Sequence, residues 1–333
     1  MSHELDFTKG VAAIAYTGDT PWHGYGQRLN PDSPLEVWLD EAGLNYEVLE
    51  KPIHYRQESQ YPFARHGYPI IKGKKVLLRS DTSDVLSVVT NRYNVVQPKE
   101  VIEFFRELID DQGFKMHTAG ALKDGSRVWA LAETGKEFAV NGQDHVGGYL
   151  MLATSYDGKF STTAQFTSVR VVCNNTLSWS LNMAEGQKTG VVRIPHSSEF
   201  DPQAIKGELG LLGDLNTKGW KDFQENVIAL SEYQVSKKQA VEFFLELLDV
   251  EEGASGRQLQ TTKKLLAFYE SGPGSDFISS HNTTWGLVNA VSFLTDHARR
   301  GRGDRRFDSA SFGSGAQLKA KAFSKALDMV GAA

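Results

Sequence analysis

Hydrophobic spacing changes along the chain and predicts two regions of different secondary structure. Through most of the first two hundred residues, apolar and polar positions alternate, which is typical of half-buried strands. From Asp201 onward the apolar positions recur at helical spacing. We therefore expect a mixed domain over residues 1–197 and a helical domain over residues 198–333.

Two stretches of the first region have helical spacing. In the first, Ser33 is predicted as the N-cap, Pro34 as the first helical residue and Glu36 as the partner in a capping box, with Gly43 ending the helix. The second is predicted to start at Pro98 and end at Gly113. The pattern also predicts a short helix over residues 174–183, capped by Asn174.

The strands of this region are joined by turn signals that favour hairpins. A strand is predicted over residues 45–55, a hairpin over 74–96 that turns at Ser80–Ser83, and further turns at the pairs Asp124-Gly125, Asn141-Gly142 and Asp157-Gly158. Strict alternation of strands and helices is missing, so a doubly wound parallel sheet is disfavoured. The expected class is α+β, an antiparallel sheet with packed helices followed by a mostly helical part with helices at about 201–233, 236–249, 257–271, 284–298 and 316–330.

Charge and composition limit the kinds of ligand and the cellular location that are expected for this protein. The net charge is -5, yet residues 299–306 hold five arginines against one aspartate, a local +4 that leaves -9 for the remainder. A nucleic-acid site must then be a local patch. No membrane-spanning run or signal peptide is recognised, and a single cysteine fits a reducing compartment, so cytoplasmic residence is expected.

Catalytic motifs are missing from the sequence. It contains no P-loop or dinucleotide fingerprint, and its nine histidines show no metal-binding spacing, so neither a cofactor nor a metal is expected and catalytic residues stay unknown. Cys173 is the only thiol and has Arg170 three residues before it, but it ends an apolar strand, where a buried inert cysteine is commoner than a nucleophile.

Several basic, polar and aromatic residues are candidates for contacts with nucleic acid. Arg170, together with helix-start amides at Asn174 and Asn175, would form a phosphate pocket, although a simple helix cap is the commoner role of the asparagines. Trp22 could stack on a base or seal the core, and Tyr93 is a second stacking candidate. A phosphate track or a solvated linker would explain the arginines equally well: Arg299, Arg300, Arg302, Arg305 and Arg306.

Long segments of the chain resemble a known family, the phage/plasmid-like proteins carrying domain of unknown function number 932. The resemblance rests on PWHGYGQRL (21–29), LRSDTSDVLSVVTNRYNVVQ (78–97), TAGALKDGSRVWALAE (118–133), SYDGKFSTTAQFTSVRVVCNNTL (155–177) and TTWGLVNAVSFLTDHARRGRGDRRF (283–307). It implies a phage, prophage or plasmid origin and residence in a bacterial host. It implies no activity.

The order of predicted elements is also compatible with the core of phage single-strand annealing proteins, which assemble into homo-oligomers and need no nucleotide hydrolysis. The first hypothesis is therefore a homo-oligomeric protein that binds or anneals single-stranded DNA in phage recombination or replication. One alternative is an enzyme that processes nucleotides or nucleic acid in a polar pocket at the strand ends. Another is a counter-defence or assembly protein that binds a host factor.

Overall fold

A computed structural model describes most of the chain and divides it into two compact units. Unit 1 comprises residues 1–132, 151–164 and 192–205, and unit 2 comprises residues 133–150, 165–191 and 206–333. The single boundary predicted between residues 197 and 198 stays a prediction. The described residues are 7–8, 11–18, 26–57, 67–170, 175–178, 181–182, 188–189, 191–209, 215–250, 256–299, 309–311 and 313–331.

The α+β class is confirmed, with strands concentrated before residue 195 and helices after residue 201. The strands are β1 (Phe7–Thr8), β2 (Val11–Ala12), β3 (Ile14–Tyr16), β4 (Gln27–Arg28), β5 (Val48–His54), β6 (Ile70–Arg79), β7 (Val85–Thr90), β8 (Lys115–Leu122), β9 (Arg127–Val140), β10 (Asp144–Ser155), β11 (Thr162–Arg170), β12 (Asn175–Ser178), β13 (Leu181–Asn182), β14 (Lys188–Thr189) and β15 (Val191–Ile194).

The described helices follow the predicted pattern closely in the C-terminal part. They are α1 (Leu35–Glu41), α2 (Pro98–Glu103), α3 (Arg106–Gln112), α4 (Pro202–Glu208), α5 (Leu215–Glu232), α6 (Lys237–Leu247), α7 (Gly256–Ser271), α8 (Thr284–Phe293) and α9 (Ser314–Gly331). A π-helical turn, Leu294–Ala298, continues α8. The predicted capping box at Ser236 and Gln239 is confirmed, with Ser236 Oγ accepting from the Gln239 amide.

Two sheets matter for the sites described below. The larger has the strand order β12-β11-β10-β9-β8-β3-β4, with β15 also paired to β11. Its β3–β4 pair is parallel, whereas β3 and β8 are antiparallel, so this sheet is mixed. The smaller sheet has the order β5-β6-β7 and is antiparallel throughout, which confirms the hairpin predicted around residues 80–83.

Each unit has its own apolar core. In unit 1, Trp38, Leu77, Phe105 and Tyr156 are fully buried, and the Tyr156 hydroxyl donates to the Val96 carbonyl at 2.9 Å. In unit 2, helix α8 is buried on every side and contacts α5, α7 and α9. A helix that is apolar all round belongs at the centre of a helical core, and α8 occupies that place in unit 2.

The helix predicted over residues 174–183 is wrong. Residues Asn175–Ser178 form strand β12, which pairs antiparallel with β11 so that Asn175 is opposite Arg170, and Leu181–Asn182 form β13. The neighbouring strand gives this backbone an alternative set of hydrogen bonds, and such tertiary pairing overrides a weak local helix preference. Asn174 itself lies outside the described residues.

The two helices predicted before residue 113 differ in detail from those observed. Pro34, not Ser33, occupies the N-cap of α1 in an extended conformation, and Glu36 pairs with Arg106 at 2.8 Å instead of completing a capping box. The second predicted helix is interrupted at Phe104 and Phe105 and forms α2 and α3. Its predicted end is confirmed, because Gly113 caps α3 in the left-handed conformation.

Candidate nucleic-acid interface

Arg170, the first phosphate contact predicted from the sequence, lies in the interior of unit 2. Its side chain is 2 % exposed, and Nε donates to Asp144 Oδ1 at 2.6 Å. Its Nη2 donates to the Gly274 carbonyl at 3.0 Å and to Ser280 Oγ at 2.8 Å. The predicted phosphate contact stays a prediction, and the interface described below does not depend on it.

Asp144 completes this buried cluster. Its side chain is 1 % exposed, and its second oxygen accepts from Ser279 Oγ at 2.7 Å and from Trp285 Nε1 at 3.1 Å. A buried ion pair is tolerated only when hydrogen bonds satisfy its remaining polar atoms, and those donors satisfy the carboxylate. Within the described residues, Asp144 is the carboxylate that forms an ion pair with Arg170. The enzyme alternative stays a prediction.

Tyr93, the predicted stacking residue, is buried in unit 1. Its ring stacks on His196 with centroids 4.2 Å apart, and its hydroxyl donates to the Ser155 carbonyl. Burial, with a smaller contribution from the charge of Asp157, raises the pKa of the Tyr93 hydroxyl well above its ordinary value. Base stacking by Tyr93 stays a prediction, and its ring already has a partner.

The remaining predicted residues are only partly described. Arg299 follows the π-helical turn, is half-buried and donates from Nη1 to Ser309 Oγ at 3.2 Å. Asn175 is in β12. The other predicted contacts and the lone cysteine lie outside the described residues: Trp22, Cys173, Asn174, Arg300, Arg302, Arg305 and Arg306.

The sheet of β5, β6 and β7 presents a different candidate surface, all of it in unit 1. One face of this sheet is buried and the other is exposed to solvent, because alternate residues of a strand point to opposite sides. On the inner face, Leu77 and Arg79 are buried, and Ser87 donates to the Tyr156 carbonyl. On the outer face, Lys51, Val76 and Val88 are aligned across the three strands.

The outer face is both apolar and basic. Leu49, Leu78 and Val85 form a second aligned row, and Val85 is 65 % exposed. Lys74 is opposite Thr90 at the end of β6, and both side chains are exposed. Exposed apolar area of this kind, gathered on one sheet face, is characteristic of a surface that binds a partner.

The β5–β6 hairpin continues beyond the sheet and carries two exposed tyrosines. Tyr68 is 65 % exposed and Tyr55 is 50 % exposed. The pairs His54–Ile70 and Gln57–Gly67 fix the register, which places Arg56 directly opposite Tyr68. Cross-strand neighbours are about 5 Å apart at their Cβ atoms, so a cation and an aromatic ring are adjacent here.

Positive charge gathers at the same end of the sheet. The Asn91 amide donates to the Gly73 carbonyl at 3.1 Å, which brings the turn containing Arg92 alongside Lys72 and Lys74. In the described part of the chain, none of the five exposed cations of this surface is in an ion pair: Lys51, Arg56, Lys72, Lys74 and Arg92. We call these five residues, with Tyr55 and Tyr68, the basic tyrosine surface; it includes both sides of the hairpin, because Tyr55 and Arg56 are adjacent and point to opposite sides.

The neighbouring charges on the inner face are neutralised locally. Lys75 pairs with Glu50 at 2.7 Å, and Arg79 pairs with Asp81 at 2.9 Å. The hydrogen bond from Arg79 holds the pKa of the Asp81 carboxyl below its ordinary value. Arg79 also stacks on Tyr46 at 4.1 Å. The cations available to a ligand at this end of the sheet are therefore the five of the basic tyrosine surface.

Sequence reasoning predicted the strands of this sheet but missed the surface on it. The segments IHYR at 53–56 and YPIIKGKK at 68–75 interleave aromatic and basic residues, and that signal could have found it. Alternation alone does not show which face is covered, because both faces carry apolar residues. The register and the burial of Leu77 and Arg79 make the distinction.

Neither a cluster of metal ligands nor a membrane-spanning helix is found among the described residues. No three side chains among histidine, cysteine, aspartate and glutamate come together there as metal ligands. No helix there combines the length and the hydropathy needed to cross a bilayer.

The fold and surface define an α+β protein with a helical C-terminal part and an exposed, basic sheet face. Residues 85–317 match the family described as Domain of unknown function (DUF932), and the chain belongs to this family. The matched range begins at β7, so β5 and β6 precede it, whereas the Arg170 cluster lies inside it. Comparison with curated proteins and with solved structures finds no match.

Proposed function

We propose that this protein binds single-stranded nucleic acid on the basic tyrosine surface. The observation that carries the proposal is that two exposed tyrosines share one sheet end with five exposed cations. Proteins that bind single strands combine a basic track for the phosphates with aromatic rings on which bases stack, and this surface has both components. The exposed valines of β7 extend it with apolar area for further bases.

This mode of binding suits a protein of net charge -5. A single strand is drawn to a local concentration of cations, and the acidic remainder of the molecule keeps non-specific contacts weak. Tyrosine rings stack on any base, so recognition would be tolerant of sequence. We place this activity in phage recombination or replication, carried out by a homo-oligomer in the bacterial cytoplasm. The phage setting rests on the family resemblance, and the recombination role and the homo-oligomer rest on the analogy with phage single-strand annealing proteins.

The test is fluorescence anisotropy with a labelled thymidine oligonucleotide. Tyr68→Ala removes one stacking ring at an exposed position, and we expect affinity to fall about 5- to 150-fold, the range for about 1–3 kcal/mol per stacked base. The double variant Lys72→Ala/Lys74→Ala should weaken binding as well, because it removes two phosphate contacts.

The control for the lysine variant is Lys263→Ala/Lys264→Ala on α7. These two lysines are exposed, and their removal lowers the net charge equally. Equal losses in the two double variants would mean that only overall charge matters, and the sheet would be excluded as the site. Absence of any binding by the wild-type protein at low salt would refute the proposed function itself.

A further inference from the structure

The three-stranded sheet of unit 1 has two edges, and the edge formed by β5 is closed by the chain itself. The Val48 amide donates to Gln97 Oε1 at 2.8 Å, and Gln97 Nε2 donates to the Val48 carbonyl at 3.1 Å. The side-chain amide of Gln97 thus takes the place of a neighbouring strand. Pro52 lies on the same edge and has no N–H to offer, and the charged Glu50 lies between Val48 and Pro52. These features prevent pairing with another chain.

The edge formed by β7 lacks such protection. Its sequence, VLSVVT, contains no proline and no charged residue. The Asn91 amide donates to the Gly73 carbonyl at 3.1 Å, and backbone groups alternate in direction along an antiparallel strand, so those of Val88 and Thr90 point away from β6. In the part of the chain that the structure describes, no group outside the sheet forms a hydrogen bond to the Val88 backbone. This edge is therefore open to a further strand.

The outward side chains of β7 are apolar and exposed at Val85 and Val88. A β-bulge at Leu86 shifts the register with β6, so the regular part of the edge is residues 87–90. An uncharged, apolar strand edge is the kind of surface to which a strand of another chain adds, because main-chain hydrogen bonds supply affinity and side chains supply register.

We propose that β7 is an interface at which two copies of this protein pair, edge to edge and antiparallel. A two-fold axis at Val88 sets this residue opposite Val88 of the second copy. The register brings the outward backbone groups of both strands together and keeps exposed side chains on one face, whereas a shift by one residue would set exposed residues opposite buried ones. The row of Val76 and Val88 then continues across a sheet of six strands.

The distribution of charge favours a second copy as the partner. Two uncharged β7 strands meet without repulsion, and Lys74, which is opposite Thr90, lies two residues from the axis. With about 3.3 Å per residue and about 4.8 Å between strands, the two Lys74 positions are about 20 Å apart, more than twice the Debye length of ~8 Å. Because Gln97 and Pro52 close the β5 edge, pairing through this sheet ends at two copies.

The test is analytical ultracentrifugation of the full-length protein over a dilution series, without nucleic acid. The mass should approach twice 36.9 kDa as the concentration rises. Val88→Lys puts two like charges opposite each other on the axis, so the dimer should weaken about tenfold or more. Ile70→Lys is the matched control, because Ile70 is 54 % exposed against 53 % for Val88, gains the same charge and lies outside β7. Its dimer should be unchanged.

A disulfide tests the register directly. Val88→Cys should join two copies on mild oxidation, because the axis places the two Cα atoms about 5.5 Å apart. Ile70→Cys should not, since its counterpart is beyond the ~7 Å that a disulfide can span. Cys173 is present in both variants, so the difference reports on the added thiol.

Three outcomes would overturn the proposed interface. They are a wild-type protein that stays monomeric at every concentration, equal weakening by Val88→Lys and Ile70→Lys, and equal cross-linking of the two cysteine variants. Nucleic acid is absent from both experiments, so none of these results bears on the function proposed above.

Discussion

Asp144 and Arg170 form a buried ion pair, and its main expected effect is on the stability of the fold. Both side chains are almost completely buried, and each charge is compensated by the other and by neutral hydrogen-bonding groups. A pair of this kind contributes little net stability relative to a well-packed apolar pair, but removal of one partner leaves the other charge buried alone.

Replacing Asp144 by Asn should therefore lower the free energy of unfolding by about 3–5 kcal/mol. Urea denaturation followed by circular dichroism measures the change. Glu242→Gln is the comparison, because Glu242 pairs with Lys238 at 3.7 Å on an exposed helix surface, where loss of a pair costs about 0–1 kcal/mol. Equal effects of the two substitutions would contradict the role assigned to the buried pair.

At the scale of elements, the turns between strands differ in how tightly they are packed. The turn between β8 and β9 places Lys123, Asp124 and Gly125 in the left-handed region, and the Gly125 carbonyl accepts from the Tyr46 hydroxyl. A Cβ at Gly125 would lie 2.7 Å from Arg79 Nη1 and 2.8 Å from Tyr46 Oη. Arg79 is buried and paired with Asp81, so it cannot move aside.

Gly125→Ala should thus destabilise unit 1 more than Gly158→Ala does. Gly158 also has a positive φ, of 68°, but a Cβ there meets nothing within 4 Å, so its substitution costs only the left-handed strain of about 1–2 kcal/mol. Overpacking adds ~1–3 kcal/mol at Gly125. Urea denaturation of both variants tests the difference, and equal midpoints would show that the contact with Arg79 is not tight.

The elements themselves were largely predictable, because they follow from local signals. The hairpin turns, the Ser236 capping box and the helical C-terminal part all depend on residues close together in sequence. Strand β12 was mistaken for a helix because its pairing with β11 is tertiary. The hydrogen-bond partners of Arg170 could not be predicted from the sequence either, since they include Asp144, 26 residues away, and Ser280, 110 residues away.

At the scale of the whole molecule, charge is distributed unevenly. The net charge is -5, yet the basic tyrosine surface carries five exposed cations. Binding of a single strand on this surface would therefore release counterions from it. The number of phosphates contacted then determines how steeply affinity depends on salt.

If all five cations contact phosphates, the logarithm of the binding constant should fall against the logarithm of salt concentration with a slope of about -3.5. Lys72→Ala/Lys74→Ala should make the slope shallower by about 1.4, whereas Lys263→Ala/Lys264→Ala should leave it unchanged. Anisotropy titrations at several salt concentrations measure these slopes. A slope near zero in the wild-type protein would mean that phosphates are not bound there.

The Arg170 cluster also has a consequence for the order in which unit 2 is completed during synthesis. Asp144 receives hydrogen bonds from Ser279 and Trp285, which follow it by 135 and 141 residues, and Arg170 donates to Gly274, 104 residues later. Contacts that close such long stretches of chain form slowly. During synthesis, Asp144 on β10 and Arg170 on β11 therefore stay exposed to water. They can be buried only after the loop before α8 has left the ribosome.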